Sequence, residues 1–404
     1  MLFLISTINS VDRLVLASVA PILTDVFHLS NQQYSYIVVA FMAGMAMGQV
    51  PAGAMLDRIG VRIGLPIILV GWSLINILHV AARQVAQFCA LRLGMGVFES
   101  GNFSGGLKAI GQTMPAENRA FALGFFNSGY LLGSFLAPPV VVYTAHHFGW
   151  KSSFLLPGLI GMLWVLPWLM IYRPSPTHET ARETARPDGA GKPSLRDLLK
   201  LRKTWGMIAL RSTGGPVSQF YWYWLPLYFV RGRGASLEQM GTFASLAYVI
   251  GACGNLAGGY VSDWLIRRGM PVAKSRHVTF VTGALLCSTG TFLVTIANSF
   301  LLAGLLAGAA IFGLNAASCA MLAMMSDMFP VAALARVCGL AGVGENIIAI
   351  VLTLCAGIIL DRFKFGVVFD AATLLPLLSI ALLYLLIRPA ITREPICHNR
   401  SASL

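Results

Sequence analysis

The sequence predicts an all-α membrane protein of twelve transmembrane helices in two six-helix halves. Three observations carry this. First, 56% of the 404 residues are hydrophobic and 11% are charged, against roughly 45–50% and about 25% in soluble domains. Second, the apolar runs are continuous and match the length of about 20 residues that a membrane-crossing helix needs. Third, a polar stretch near the middle of the chain divides these runs six and six. The same accounting excludes a soluble multidomain enzyme, a disordered chain and a disulfide scaffold. It disfavours a membrane β-barrel, whose strands are about ten residues of alternating polarity.

The elements follow in order. Residues 1–23 are apolar from Met1, have no basic stretch ahead of them and are interrupted by Asp12 and Arg13. That is a poor signal peptide and a better first span. Spans at 34–56, 64–82, 86–110, 119–144 and 151–172 complete an N-terminal bundle, 1–172. Residues 173–203 (RPSPTHETARETARPDGAGKPSLRDLLKLRK) form a charged cytoplasmic linker with Pro and Gly, part of which suits a surface helix. Spans at 204–230, 239–264, 276–297, 299–326, 333–360 and 366–388 form a C-terminal bundle, 204–388, and 389–404 are a tail. Pro138-Pro139 in the fifth span permits a bend, since proline removes a helix hydrogen bond. Gly105-Gly106 and Gly258-Gly259 suit close helix packing.

Lys and Arg number 29 and Asp and Glu 16, a net charge of +13. On a soluble protein that excess would suggest nucleic acid; on a membrane protein it is the charge of cytoplasmic loops. With the N-terminus in the cytoplasm, the cytoplasmic loops and tail hold 20 of the 29 basic residues and the opposite loops hold 6. Both termini are therefore expected in the cytoplasm, with the chain multi-pass in the cell (inner) membrane. Of seven Cys, six (Cys89, Cys253, Cys287, Cys319, Cys338, Cys355) fall in apolar stretches, where Cys acts as a small hydrophobe. No disulfide framework, metal site, cofactor or nucleic-acid partner is expected, and a monomer is.

An internal repeat supports the two halves. Gly53-Ala-Met-Leu-Asp57-Arg58-Ile-Gly60-Val-Arg62 follows span 2, and Gly259-Tyr-Val-Ser-Asp263-Trp-Leu-Ile-Arg267-Arg268 follows span 8. Each places Gly four residues before Asp at a helix end, with Arg after it. The charges at Asp57, Arg58 and Arg62, and at Asp263 and Arg267, suit pairing at a cytoplasmic gate. Parallel six-helix repeats are the mark of one transporter architecture.

Ionisable groups inside a bilayer cost about 2.5–3.5 kcal/mol each on insertion scales, and persist only where they have a partner or a task. Asp12 and Arg13 lie midway along span 1, Arg92 and Glu99 in span 4, Arg211 two turns into span 7 and Glu345 near the middle of span 11. Arg92 and Glu99 are seven residues apart, on one helix face, and could pair directly or through water. Asp12 and Arg13 point about 100° apart, so each meets a different neighbour. Arg offers a rigid fork that matches a carboxylate. A buried carboxyl favours its neutral form and a nearby guanidinium its charged form, so gain or loss of the partner switches protonation. The alternative is that these pairs are structural locks, and for Arg211 that its long side chain reaches the interface. His79 reads as a polar helix end, with a proton relay as the other option. Lys108 reads as a snorkelling end residue. Phe220-Tyr221-Trp222-Tyr223-Trp224 is either an aromatic belt or a source of ring contacts from Tyr221 and Trp222 to a sugar. Asn127, Ser128 and Asn255 suit substrate hydroxyls or helix–helix hydrogen bonds.

These residues resemble the major facilitator superfamily and, within it, the anion:cation symporter family, nearest its hexuronate and sugar-acid transporters. Asn9-Ser-Val-Asp12-Arg13 with Ala20-Pro21 is similar to the family's first-helix pattern. Arg92-Leu-Gly-Met-Gly-Val-Phe-Glu99-Ser-Gly-Asn-Phe, with Lys108, Glu117, Arg119 and Phe126-Asn127-Ser128-Gly129, is similar to its span 4–5 signature. Arg211, Pro216-Val, Trp224-Leu-Pro226 and Gly254-Asn255…Gly258-Gly259 resemble the hexuronate branch. The resemblance covers nearly all of 1–390. It implies the major facilitator fold, a cavity lined by spans 1, 4, 7 and 10, and alternating access. It implies proton sites at Asp12 and Glu99, with Arg13 as substrate anchor and Arg92 as the partner of Glu99. Binding of the anion to Arg13 is then expected to free Asp12 for protonation. Arg211, Asn127, Tyr130, Tyr221, Trp222 and Glu345 complete the expected substrate contacts. The chain departs from the hexuronate pattern at Gly215, where Asp is usual, at Ser218-Gln219, Tyr130 and Met45, and Glu345 is an added carboxylate. The expected function is proton-coupled symport of a small organic anion, most simply a hexuronate or other sugar acid. The alternative is an exchanger or exporter of another small carboxylate, aromatic or dicarboxylic. An enzyme is not expected: no metal-ligand cluster and no Gly-rich phosphate loop is present.

Overall fold

The computed structural model describes residues 1–114, 116–173, 195–329 and 331–387. Helices joined by short connections make up these residues, with no strand among them. The first group is α1 (Leu2–Val26), α2 (Asn31–Ile59), α3 (Val61–Leu78), α4 (Val85–Glu99), α5 (Gly101–Thr113), α6 (Ala116–Phe148) and α7 (Trp150–Ile171). The second is α8 (Leu195–Lys200), α9 (Arg202–Leu227), α10 (Leu237–Arg267), α11 (Val272–Ile296), α12 (Phe300–Met328), α13 (Val331–Arg362) and α14 (Phe365–Leu382). Each expected span coincides with one long helix, except the fourth, which is the pair α4–α5 meeting at Ser100.

Ten of the described helices are long and apolar enough to cross a membrane. The two expected spans outside that count have visible reasons. The α4 and α5 segments are 15 and 13 residues long, and α9 opens on Arg202 and Lys203 and carries Arg211. Of the expected linker, α8 is the surface helix; residues 174–194 and the tail 389–404 lie outside the described residues, as do the side chains of Glu117 and Arg119.

Helix starts follow local chemistry. Both α2 and α10, the second spans of their groups, open on a Ser-x-x-Gln box. Ser30 Oγ accepts from Gln33 N at 3.1 Å while Ser30 N donates to Gln33 Oε1 at 3.0 Å. Ser236 and Gln239 repeat this at 3.2 and 3.0 Å. Each box satisfies two backbone donors that would otherwise be orphaned. At the other end of α2, Gly60 with φ 76° is the single residue between α2 and α3, a backbone region that penalises any Cβ.

Packing sets helix neighbours through small residues, since apolar burial alone does not drive helices together in lipid. α1 packs on α6, α2 on α4, α3 on α7, and α12 on both α10 and α11. A methyl at Gly96 would strike the Phe41 carbonyl, and one at Gly44 that of Leu93. Gly254 and Gly258 face the α12 backbone at Phe312 and Ala316 in the same way. Of the other glycines expected at close contacts, Gly105 lies against Leu65 and Gly106 against Phe126, whereas Gly259 has ordinary space beside Cys319. α6 runs through Pro138 and Pro139 as one helix.

The two groups meet along α2–α13, α6–α10 and α1–α9. Their hydrogen bonds lie toward the distal end, opposite Met1. Asn31 N and Gln32 N donate to Asp361 at 2.7 and 3.1 Å, and Asn31 Nδ2 donates to the Leu360 carbonyl at 3.1 Å. Tyr34 Oη donates to the Tyr223 carbonyl at 2.8 Å, Ser245 Oγ to that of Phe135 at 2.9 Å, and Arg231 pairs with Asp25 at 2.7 Å. The bundle is thus fastened at one end.

Candidate functional site

The site begins on α1, most of whose residues are buried. Asp12 is fully buried and bonds outward to α3. Trp72 Nε1 donates to Asp12 Oδ2 at 3.0 Å and Asn76 Nδ2 to Oδ1 at 2.8 Å. Trp72 and Asn76 are four residues apart, one above the other on one face of α3. Asn76 Nδ2 also reaches the Phe154 carbonyl of α7 at 3.1 Å. The carboxyl group of Asp12 is therefore held by two neutral donors, with no cation among the described residues in ion-pair contact.

Arg13, turned about 100° around the helix, faces α4 and α2 instead. Its Nε donates to Glu99 Oε1, in an ion pair whose carboxylate is fully enclosed. Met45 Sδ lies 3.9 Å from its Nη2, and the Phe41 ring centroid 5.9 Å from its Cζ. Glu99 Oε2 has no hydrogen-bond partner. Glu99 is the last residue of α4, and its side chain faces α1.

Arg92 departs from the expected pairing. It is buried and makes no ion pair with Glu99, whose near oxygen is taken by Arg13. Its Cζ sits 5.8 Å from the Phe154 ring centroid and its Nη1 3.7 Å from Met95 Sδ, while Nε and Nη2 have no hydrogen-bond partner. Buried polar groups are normally paired, so these N–H groups are ready to receive an acceptor. The expected competition between Arg13 and Asp12 is likewise redirected, since the carboxylate that occupies Arg13 is Glu99. His79 is more than a polar helix end: it is fully buried and stacks on Phe154 with centroids 5.0 Å apart.

A second ion pair stands in the other group. Arg211 Nε donates to Glu345 Oε2 at 2.5 Å, and Arg211 Nη1 lies 3.4 Å from Cys338 Sγ. The pair borders a cavity of ≈ 130 Å³ among α9, α11, α12, α13 and α14, with Ser318 and Ser379 on its wall.

The remaining expected residues divide. Tyr130 Oη accepts from Asn102 Nδ2 at 3.0 Å. Asn127 is exposed on α6. Tyr221 is fully buried and donates to Thr291 Oγ1 at 2.9 Å, so its hydroxyl faces α11 and not the intergroup cleft. Trp222 is half-buried, while Phe220, Tyr223 and Trp224 are buried, so the aromatic run packs the core instead of forming a lipid-facing belt.

The expected gate pairs re-partner. Asp57 pairs with Lys108 at 2.8 Å, and Lys108 also donates to the Leu56 carbonyl at 2.8 Å. Asp263 pairs with Arg276 at 3.0 Å, and Arg276 stands 3.5 Å from Asp327. Arg58 is exposed, Arg62 reaches the Leu169 carbonyl at 3.4 Å, and Arg267 lies over the Tyr260 ring at 5.9 Å. Asp57 and Arg58 are neighbours and diverge by about 100°, whereas Arg267 shares a face with Asp263 but lies over Tyr260 instead; each Asp meets a cation on an adjacent helix.

Residues 2–275 match the model of the Major Facilitator Superfamily. The chain is 30% identical over 322 residues to the probable L-galactonate transporter of Escherichia coli strain K12, covering 77% of this chain and 71% of that protein. It is 26% identical to the hexuronate transporter of the same strain, covering 98% and 95%. A crystal structure of a D-xylose-proton symporter superposes with a TM-score of 0.77 at 16% identity, over 95% and 96% of the two chains, a likeness of fold.

Proposed function

Because the chain belongs to the major facilitator superfamily of membrane transporters, we propose that it is a proton-coupled symporter of a small organic anion, a hexuronate or other sugar acid. The names of its relatives support the substrate class. The observation that carries the coupling is the pairing of Arg13 with Glu99, with Asp12 held apart on neutral donors.

The chemistry runs as an exchange of partners. Arg13, always charged, attracts the carboxylate of the substrate into the cleft. A substrate carboxylate on Arg13 displaces Glu99, which is enclosed and then loses its ion-pair partner. An enclosed carboxylate without a cation takes up a proton. Substrate and proton are thereby bound together, and neither crosses as a bare charge. Arg92, with free N–H groups, supplies a second contact, and Asp12 is the further proton site. Tyr130, Trp222 and Asn127 line the approach for the substrate hydroxyls, and Arg211 with Glu345 forms the contact from the second group.

Bundles 1–172 and 204–388 rock about this site in alternating access. The intergroup bonds at the distal end support a state open toward the termini. The excess of basic residues on the termini side supports cytoplasmic termini in the inner membrane, with Asp57–Lys108 and Asp263–Arg276 bracing the cytoplasmic ends.

The test is uptake of labelled galacturonate, galactonate and galactarate into proteoliposomes, with an inward proton gradient and without one. Gradient-driven accumulation of one of them is expected, and lost in Asp12→Asn. Wild-type uptake that is indifferent to the gradient contradicts the coupling and moves the assignment to an anion exchanger; gradient-driven accumulation that persists in Asp12→Asn removes Asp12 from the proton path.

A further inference from the structure

The second ion pair has an unusual neighbour, and its part in recognising substrate rests on the sugar-acid reading. Gly215 lies one turn after Arg211 on α9, so a side chain there would stand on the face of Arg211. A Cβ built on Gly215 collides with Cγ, Cδ and Oε1 of Glu345. Glu345 therefore reaches from α13 into the volume that a side chain of α9 would fill. Glycine is unfavourable inside a helix, and here it is what admits the carboxylate.

The pair is not sealed as a structural lock. The side chains of Arg211 and Glu345 keep 28% and 17% of their exposure and border the ≈ 130 Å³ cavity. Arg211 Nε is taken by Glu345 and Nη1 faces Cys338, so Nη2 is left for a ligand. Ser318, Leu314 and Met321 line the same cavity, as does Ser379, whose Oγ is engaged by Thr213 Oγ1 at 2.6 Å and by the Leu375 carbonyl at 3.0 Å. A guanidinium, the Ser318 hydroxyl and apolar surface suit the hydroxyl-bearing end of a sugar acid whose carboxylate is held elsewhere.

We propose that Glu345 is a positioning residue: it holds the Arg211 guanidinium toward this cavity to read the polyhydroxy end of the substrate, from a place that belongs sterically to position 215. The carboxylate can then be delivered from α9 instead. An Asp at 215 is one turn from Arg211 and within reach of it.

The experiment is a carboxylate relocation, read in proteoliposomes with labelled galacturonate. Glu345→Ala is expected to raise KM about tenfold, the loss of one charged hydrogen bond that orients a ligand contact, with the maximal rate retained. Gly215→Asp alone is expected to impair uptake, because two carboxylates then compete for one place. Gly215→Asp with Glu345→Ala is expected to return KM toward the wild-type value. A double variant that is monodisperse in detergent and no better than Glu345→Ala overturns the proposal, as does a Glu345→Ala whose KM is unchanged.

A second readout does not need transport. With Cys338 as the sole cysteine, its alkylation rate by a neutral maleimide reports where the Arg211 guanidinium sits. The rate is expected to change in Glu345→Ala and to return in the double variant; the same rate in all three overturns the proposal. Should wild type take up no sugar acid, the transport reading and the substrate contact fail with it, while the alkylation rates still decide whether Glu345 positions Arg211.

Discussion

At the scale of the residue, the intramembrane charges sort by the kind of partner each has. Asp12 sits on two neutral donors, Arg13 and Arg211 each hold a carboxylate, and Arg92 holds none. Arg13→Lys is expected to weaken substrate binding about tenfold or more, since an ammonium cannot offer the two parallel N–H groups of a guanidinium; equilibrium binding to purified protein measures it. Asn76→Ala removes the donor to both Asp12 and the Phe154 carbonyl. It is expected to cost roughly 1–2 kcal/mol of stability, seen as a lower midpoint in detergent thermal unfolding. That Asp12, Arg13, Arg92 and Glu99 matter was legible in the sequence, because charge inside a bilayer is costly. Who pairs with whom was not. Trp72 and Asn76 contact Asp12 across 60 and 64 residues of chain, and in the sequence Asn76 is one polar residue in an apolar run. The spacing of Arg92 and Glu99 spoke only for a shared helix face, and the packing of α1 against that face decides that Arg13 is the partner of Glu99.

At the scale of the element, the two groups repeat each other beyond the Asp57 and Asp263 motifs. The Ser30–Gln33 and Ser236–Gln239 boxes open the helices that those motifs close. This was present in the sequence as Ser-Asn-Gln-Gln and Ser-Leu-Glu-Gln, a signal weaker than the charged repeat because so many loops contain such strings. Ser30→Ala and Ser236→Ala are each expected to cost about 1 kcal/mol, with similar values for the two by thermal unfolding if the groups are equivalent. Helix identity and span limits were legible because an apolar run of fixed length has one stable form in lipid. The division of the fourth span into α4 and α5 was not, since Ser100 keeps helical dihedrals and its bond to the Gly96 carbonyl, so the junction is slight and leaves no mark in composition.

At the scale of the whole molecule, the fastening of one end is the feature that the sequence withheld. No local pattern marks Asn31 and Asp361, 330 residues apart, as partners. If the groups separate there in each cycle, Asn31→Cys with Asp361→Cys, oxidised to a crosslink, is expected to stop uptake, and reductant to restore it. Uptake that continues in the fully crosslinked protein contradicts rocking of the two groups about a central site. The most direct test of the central claim, that a substrate on Arg13 releases Glu99 to take a proton, is Glu99→Gln in proteoliposomes. This near-isosteric change leaves Arg13 without its resident carboxylate and removes the titrating group. Proton-driven accumulation of the sugar acid is expected to be lost, while exchange of labelled for unlabelled substrate across the membrane continues. Accumulation that persists with the gradient in Glu99→Gln would contradict the account.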